Sequence, residues 1–187
     1  MFGSKTNKVA GGLLLALALS TAPVYAAVKM VGGAPMYPSK NIVENAVNSK
    51  DHTTLVAAVK AAGLVDTLEG AGPFTVFAPT NEAFAKLPAG TVDTLLKPEN
   101  KDKLSAVLTY HVVPGKLTAA DLMKMAKQGG GQAQIKTVEG EPLTVSVKGK
   151  SVDITDAKGD VARVTIPNVM QSNGVIHVIN TVLLPAS

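Results

Sequence analysis

Residues 74–84, FTVFAPTNEAF, decide the predicted fold, because this one stretch combines a strand with the start of a helix. Its first residues favour a β-strand, and Pro79 ends such a run because proline has no N–H for the next ladder bond. Thr80 is a typical N-cap, Asn81 suits the first helical turn, and Phe84 lies on the apolar face that follows. We therefore predict structural roles for Thr80, Asn81 and Phe84.

The rest of the chain divides into a helical part and a strand part. The spacing of apolar residues and the capping residues predict helices at residues 41–47, 51–63, 92–96, 98–110 and 118–128. After the glycines at 129–131 the spacing changes to period two or to clustered β-formers, which predicts strands at 134–138, 143–148, 151–155, 161–166 and 175–184. Helices followed by a meander predict an α+β fold rather than alternating βαβ units.

The N-terminal residues predict export. Lys5 and Lys8 precede an apolar run, VAGGLLLALAL at residues 9–19, which is too short to cross a bilayer as a helix. The small residues Val24 and Ala26 favour cleavage before Ala27. We therefore predict a signal peptide at 1–26, an extended segment at 27–40 and a single domain at 41–187. The product is expected to be periplasmic or extracellular, without an integral membrane segment after cleavage.

Composition excludes several classes of function. Losing Lys5 and Lys8 with the signal peptide reduces the formal charge of +4 to +2, and the chain has one arginine and no tryptophan. This charge and composition argue against a nucleic-acid surface. The chain contains no cysteine, which excludes a disulfide, a thiolate metal site, a cysteine nucleophile and a lipid anchor on cysteine.

No motif predicts an enzyme. None of the serines sits in a G-x-S-x-G context. His52, His111 and His177 are far apart in the chain and lack the spacing of metal ligands. We therefore predict no catalytic residue, no metal and no cofactor.

The stretch LTYHVVPG, residues 108–115, places a tyrosine beside a histidine. A histidine in such apolar surroundings is most cheaply kept neutral by hydrogen bonds, which favours structural roles for His111 and His177 over direct ligand contact. Tyr110 has two possible roles, packing in the core or contact with a partner, since its ring can pack while its hydroxyl reaches a partner.

Three segments together, residues 74–84, 108–113 and 174–185, resemble the fasciclin (FAS1) domain family in order and content. The resemblance spans residues 41–185 and implies a wedge-like β-sandwich with several short helices packed along one side. It also implies that the first and last of these segments lie side by side as central strands.

The resemblance implies an exported, non-enzymatic binding or adhesion module that recognises a protein or polysaccharide in the envelope or extracellular matrix. Candidate partner-binding residues are Tyr110 and His111, with Asn100 and Asp102 in the charged segment that corresponds to a binding helix of some relatives. The alternative is a carrier of a small apolar ligand such as a carotenoid or lipid, because some algal relatives are carotenoid-binding. Five methionines could then line a groove, namely Met30, Met36, Met123, Met125 and Met170.

Overall fold

The structure is a computed structural model that describes residues 27–186, so the predicted signal peptide lies outside the described residues. The helices are α1 (Ile42–Ala46), α2 (Thr53–Ala62), α3 (Val65–Glu69), α4 (Asn81–Ala85), α5 (Thr91–Leu95), α6 (Lys101–Tyr110) and α7 (Ala119–Gln128). The strands are β1 (Lys29–Val31), β2 (Ala34–Met36), β3 (Phe74–Pro79), β4 (Val112–Pro114), β5 (Gln132–Lys136), β6 (Pro142–Lys148), β7 (Ser151–Thr155), β8 (Val161–Gln171) and β9 (Gly174–Ile179). Short 3-10 turns precede α2 and α6, at Lys50–His52 and Pro98–Asn100.

Strands β3 to β9 form one mixed sheet in the order β4-β3-β9-β8-β7-β6-β5, while β1 and β2 form a separate hairpin. β3 and β9 are parallel neighbours, in register from Phe74 opposite Gly174 to Pro79 opposite Ile179. The other pairs in the sheet are antiparallel. The predicted α+β class and the pairing of the first and last motif segments are confirmed.

Two apolar cores lie on opposite faces of β3, because successive side chains of a strand point to opposite sides. Val76 and Ala78 join the first core, with residues of α1 to α6. Phe77 joins the second core, which takes side chains from both halves of the sheet and from α7. The two halves of the sheet thus enclose the second core as a sandwich. Six helices pack along one side, as predicted, and α7 packs on β5 to β7.

Polar side chains fix the helix ends where the sequence predicts them. The Thr80 hydroxyl accepts from the Ala83 N–H at 3.2 Å and starts α4. Thr118 and Asp121 form a reciprocal capping box at the start of α7. Gly63 ends α2 with a φ of +71°, a backbone conformation that glycine adopts without steric cost. Local residue chemistry therefore sets these boundaries.

The structure differs from the sequence prediction at several places. The segment at 27–40 contains the β1–β2 hairpin, and residues 65–69 form α3, which was not predicted. β8 continues past residue 166 through register shifts around Asn168, whose φ is +56°. β9 ends at Ile179 and not at 184. Beyond it the Leu183 N–H donates to the His111 ring and the Leu184 N–H donates to Asp156, so these two amides bind side chains and not a neighbouring strand.

Candidate functional site

Tyr110 is the last residue of α6, and its side chain is fully buried in the second core. Its hydroxyl donates to the Pro142 carbonyl at 3.1 Å and accepts from the Ala157 N–H at 3.0 Å. Burial raises the pKa of this phenol, and the amide of Ala157 partly opposes the shift. A single neutral hydroxyl therefore joins the end of α6 to the start of β6 and to the turn between β7 and β8.

His111 follows α6 directly and is 2% exposed. Its Nδ1–H donates to the Val107 carbonyl at 2.8 Å, one of the last helix carbonyls that lack an intrahelical partner. Its Nε2 accepts from the Leu183 N–H at 2.9 Å. Burial lowers the pKa of His111 to about 4, although the bond to Val107 opposes this shift. The ring is therefore neutral at physiological pH, with its proton on Nδ1.

His177 lies in the middle of β9, beside Phe77 of β3, and is fully buried. The two rings stack with centroids 5.7 Å apart and planes inclined by 26°. The His177 Nε2–H donates to the Leu117 carbonyl at 2.8 Å, and Nδ1 accepts from the Asn168 N–H at 3.3 Å. Burial lowers the pKa of His177 as well. The side chain thus holds the β4–α7 loop and the irregular part of β8 against the two parallel strands.

His52 is the third buried histidine, and no sequence motif predicts its role, because it is an isolated histidine before α2. It is 3% exposed. The Ser49 hydroxyl donates to Nδ1 at 2.9 Å, and Nε2–H faces the Ala78 carbonyl at 3.4 Å. Burial lowers the pKa of this histidine. Each of the three imidazoles therefore has both nitrogens in hydrogen bonds within the fold.

Asn81 connects α4 to the start of α2. Its Oδ1 accepts from the Thr54 N–H at 3.0 Å and from the Thr53 hydroxyl at 3.2 Å. Its Nδ2 donates to the Lys50 carbonyl at 2.8 Å. The bond to Thr54 satisfies an amide at the beginning of α2 that has no intrahelical acceptor. Phe84, one turn further on, is 7% exposed and packs in the first core.

Asn100 and Asp102 lie at the other end of α6 from Tyr110 and His111. Asp102 is exposed in the first turn of the helix. Asn100 donates from Nδ2 to the Thr94 carbonyl at 2.8 Å and is partly exposed. A helix of this length separates its ends by about 14 Å at 1.5 Å per residue. The predicted partner-binding residues are therefore split between an exposed end and a buried end of one helix.

An open groove of about 370 Å³ borders the exposed end of α6. Its walls come from α5, the loop before α5 and the start of α6, namely Ala89, Gly90, Thr91, Thr94, Leu95, Asn100 and Lys103. Hydroxyl, amide and ammonium groups are present in the same groove. It can offer hydrogen bonds and a positive charge to a polar partner.

A second space of about 70 Å³ lies in the first core, and its walls are almost entirely apolar. Its lining includes Val31 and Met36 of the hairpin and Val76 and Ile176 of the sheet. Of the five methionines considered above, Met36 alone lines this cavity. Met30 is 58% exposed, Met123 and Met125 pack against the second core, and Met170 is half-buried in β8.

Within residues 27–186 no three histidine or carboxylate side chains come close enough to hold a metal ion. Both ring nitrogens of His111 and of His177 hydrogen-bond to backbone groups. Asp121 binds Thr118 in the capping box, which lowers the pKa of its carboxyl. In the same range no helix is long and apolar enough to cross a membrane.

The chain is similar to known proteins over most of its length. Residues 50–185 match the family model described as the fasciclin domain. Protein sll1483 of Synechocystis sp. is 52% identical over 156 residues, which cover 83% of this chain and 79% of that protein. Immunogenic protein MPB70 of Mycobacterium bovis is 35% identical over 200 residues, covering 96% of this chain and 94% of that protein.

Longer animal proteins and a solved structure match as well. Transforming growth factor-beta-induced protein ig-h3 of Sus scrofa is 41% identical over 131 residues, which cover 70% of this chain but 17% of that protein. The solved structure of a FAS1 domain pair from the insect cell adhesion molecule fasciclin I superposes with a TM-score of 0.69 at 20% identity. That match covers 78% of this chain and 51% of the insect chain, and at this identity the likeness is one of fold.

Proposed function

The chain belongs to the fasciclin domain family, and from this membership we propose that it is an exported, non-enzymatic binding module for a protein or polysaccharide of the envelope or extracellular matrix. Residues 1–26 would be its signal peptide and residues 41–187 its single domain. Support comes from the fasciclin domain match over residues 50–185, and the insect neighbour, whose description names a cell adhesion molecule, shares the fold. This chain spans about half of that neighbour and less than a fifth of ig-h3. The class of partner is therefore proposed here and is not taken from these longer proteins.

The hydrogen bonding of the three histidines supports the proposal that the protein is not an enzyme. General acid or base catalysis needs a nitrogen that can reach a substrate. In His52, His111 and His177 both ring nitrogens are engaged inside the fold, and burial lowers each pKa. These rings therefore connect separate segments of the chain by hydrogen bonds and have a structural role.

The binding surface is best placed at the exposed end of α6. Asn100 and Lys103 face the open groove, and Asp102 is exposed in the first turn beside them. Tyr110 and His111 contribute from beneath the surface, because they fix the far end of α6 to the sheet and to the C-terminal segment. In this account the Tyr-His motif holds the helix in place and the groove contacts the partner.

A capture assay with matched variants tests this proposal. The protein would be immobilised and challenged separately with envelope proteins and with matrix polysaccharide from its host. Asp102→Lys and Asn100→Ala should each reduce capture about fivefold, the effect of roughly 1 kcal/mol at an exposed polar contact. Asp66→Lys is the control for Asp102→Lys, since Asp66 is also an exposed aspartate in the first turn of a helix.

Three outcomes of the assay would count against these assignments. Undiminished capture by both folded α6 variants would move the binding site elsewhere. Failure of the unmodified protein to capture either class of partner would contradict the binding module itself. Tyr110→Phe keeps the buried ring and should retain capture if the tyrosine only holds α6 in place. Loss of capture by a folded variant would show that the Tyr110 hydroxyl belongs to the binding interface.

The carrier of a small apolar ligand is the second candidate, and the cavity in the first core favours it. The cavity of about 70 Å³ is lined in part by the hairpin residues Val31 and Met36. A cavity of about 150 Å³ takes up benzene, so a carotenoid or a lipid requires the hairpin and helices to move apart. Native mass spectrometry of protein from the host's exported fraction should then show a bound apolar molecule. A clean polypeptide mass would argue against this function.

A further inference from the structure

The β1–β2 hairpin has two faces of different character. Residues opposite each other in an antiparallel pair lie on the same face, so the pairs Lys29–Met36 and Val31–Ala34 form one face and Met30–Pro35 belongs to the other. The first face packs inward, with Val31 and Met36 each 3% exposed.

The outer face of the hairpin is apolar and exposed. It consists of Val28, Met30, Pro35 and Tyr37, and its three large side chains are 47%, 58% and 42% exposed for Val28, Met30 and Tyr37. We call these four residues the outer hairpin face. Grouped apolar side chains on a surface mark contact sites more often than isolated ones.

The fold holds this face outward. Gly32 in the hairpin turn accepts from the Lys50 N–H at 3.2 Å, and a Cβ there would lie 2.5 Å from the Ser49 hydroxyl. The Tyr37 N–H donates to the Asn45 side chain at 3.0 Å, which ties β2 to α1. The hairpin therefore cannot rotate to bury its outer residues without breaking these contacts.

The positive charge beside the outer hairpin face indicates which kind of partner it fits. Residues 27–40 contain two lysines and no acid. Lys29 lies on the inner face, where its ammonium donates to the Pro167 carbonyl, so Lys40 is the lysine of this segment that borders the outer hairpin face. The ammonium of Lys40 lies 5.4 Å from the centre of the Tyr37 ring, at the edge of the outer hairpin face. Apolar residues bordered by a cation and a tyrosine are the arrangement that stabilises proteins at the headgroup level of an anionic bilayer.

The position of the hairpin in the chain points to the same partner. The apolar run at residues 9–19 ends nine residues before Val28. Nine residues span at most about 30 Å, so until cleavage before Ala27 the hairpin would stay within that distance of the bilayer that holds the run. We propose that the outer hairpin face is a membrane-contact site that docks the folded domain on anionic phospholipid.

Vesicle partitioning tests this site with the protein from its host's exported fraction, whose intact mass first establishes where the chain begins. Partitioning would be measured on phosphatidylcholine vesicles with about 30% phosphatidylglycerol. The unmodified protein should sediment with these vesicles and bind pure phosphatidylcholine more weakly. Met30→Glu should reduce the partition coefficient about tenfold, because it replaces an exposed apolar side chain with a charge that anionic headgroups repel.

Val161→Glu is the matched control, since Val161 is 48% exposed on β8 and lies outside the hairpin. It makes the same change of net charge as the hairpin variant and should leave partitioning within about twofold of the unmodified protein. Val28→Glu alters the outer hairpin face just before the paired strand and supplies a second variant if Met30→Glu does not fold.

Three results would overturn the proposal. One is the absence of partitioning by the unmodified protein, and another is an equal loss in the hairpin variants and the Val161 control. The third is a dimer in solution that Met30→Glu converts to a monomer while vesicles remain unbound, which would assign the face to a second copy of the chain.

Discussion

Protonation of His111 should make the fold labile to acid, and the size of the effect follows from its burial. The folded-state pKa is about 4, against 6.5 for an unperturbed histidine. Because the folded-state pKa is the lower one, the neutral ring supports the fold fully above about pH 6.5, and this support is lost as the pH falls toward 4. Between pH 7 and pH 5, His111 alone should lower the free energy of unfolding by about 2 kcal/mol.

His111→Asn isolates this contribution. The variant has no group that titrates in this range at position 111, while His52 and His177, whose pKa values are also lowered, remain in both proteins. At pH 7 the variant should be less stable by about 1–3 kcal/mol, because the buried Leu183 N–H loses its acceptor. Its further loss between pH 7 and pH 5 should be about 2 kcal/mol smaller than that of the unmodified protein.

Urea unfolding followed by far-ultraviolet circular dichroism at fixed ionic strength measures both quantities, and the absence of tryptophan makes this signal preferable to fluorescence. Imidazole ¹⁵N spectra provide an independent check, since His111 should carry its proton on Nδ1 and His177 should carry its proton on Nε2. Parallel pH dependences in the two proteins, or a His111 resonance that titrates near 6.5, would refute the reasoning.

Three further substitutions should separate the structural contacts by size. Tyr110→Phe removes a hydroxyl with two backbone partners and should cost about 1–3 kcal/mol of unfolding free energy in urea titrations, and an unchanged midpoint would contradict the bridging role. Asn81→Ala removes the acceptor of the half-buried Thr54 N–H at the start of α2 and should cost about 1 kcal/mol; faster amide exchange confined to the first turn of α2 would support the placement of the loss. Gly174→Ala would place a methyl group 2.1 Å from the Phe74 carbonyl oxygen, so we expect little folded protein, and a thermally stable variant would refute the close β3–β9 contact.

The sequence predicted those parts of the fold whose signal is local. Thr80 and Thr118 could be predicted as helix starts because each hydroxyl accepts a hydrogen bond from the N–H three residues later in the chain. Gly63 ends α2 for an equally local reason. The hairpin at 29–36 was predicted only as an extended segment, since its strands are three residues long and are held by contacts to distant residues such as Lys50.

The candidate site was predicted less well than the fold, because exposure is a tertiary property. The sequence placed Tyr110 at a helix end but could not show that its hydroxyl meets Pro142 and Ala157 inside the protein. Asn100 and Asp102 were identified because they lie in a charged segment that corresponds to a binding helix of some relatives. The groove beside them could not be predicted, because it depends on how α5 packs against α6. The outer hairpin face had no sequence signal beyond scattered apolar residues in a Gly/Pro-rich segment.

The parallel pairing of β3 with β9 has a consequence for how the chain folds. It joins residues one hundred positions apart, from Phe74 to Gly174. Contacts of such long sequence separation form late, because the entropy of closing the loop is lost before they stabilise the chain. The β3–β9 pair, which joins the two halves of the sheet, therefore cannot form until β9 has been synthesised. For export as proposed here, this delay would be an advantage, because the chain would reach the translocation pore before its two central strands pair and would pair them on the far side.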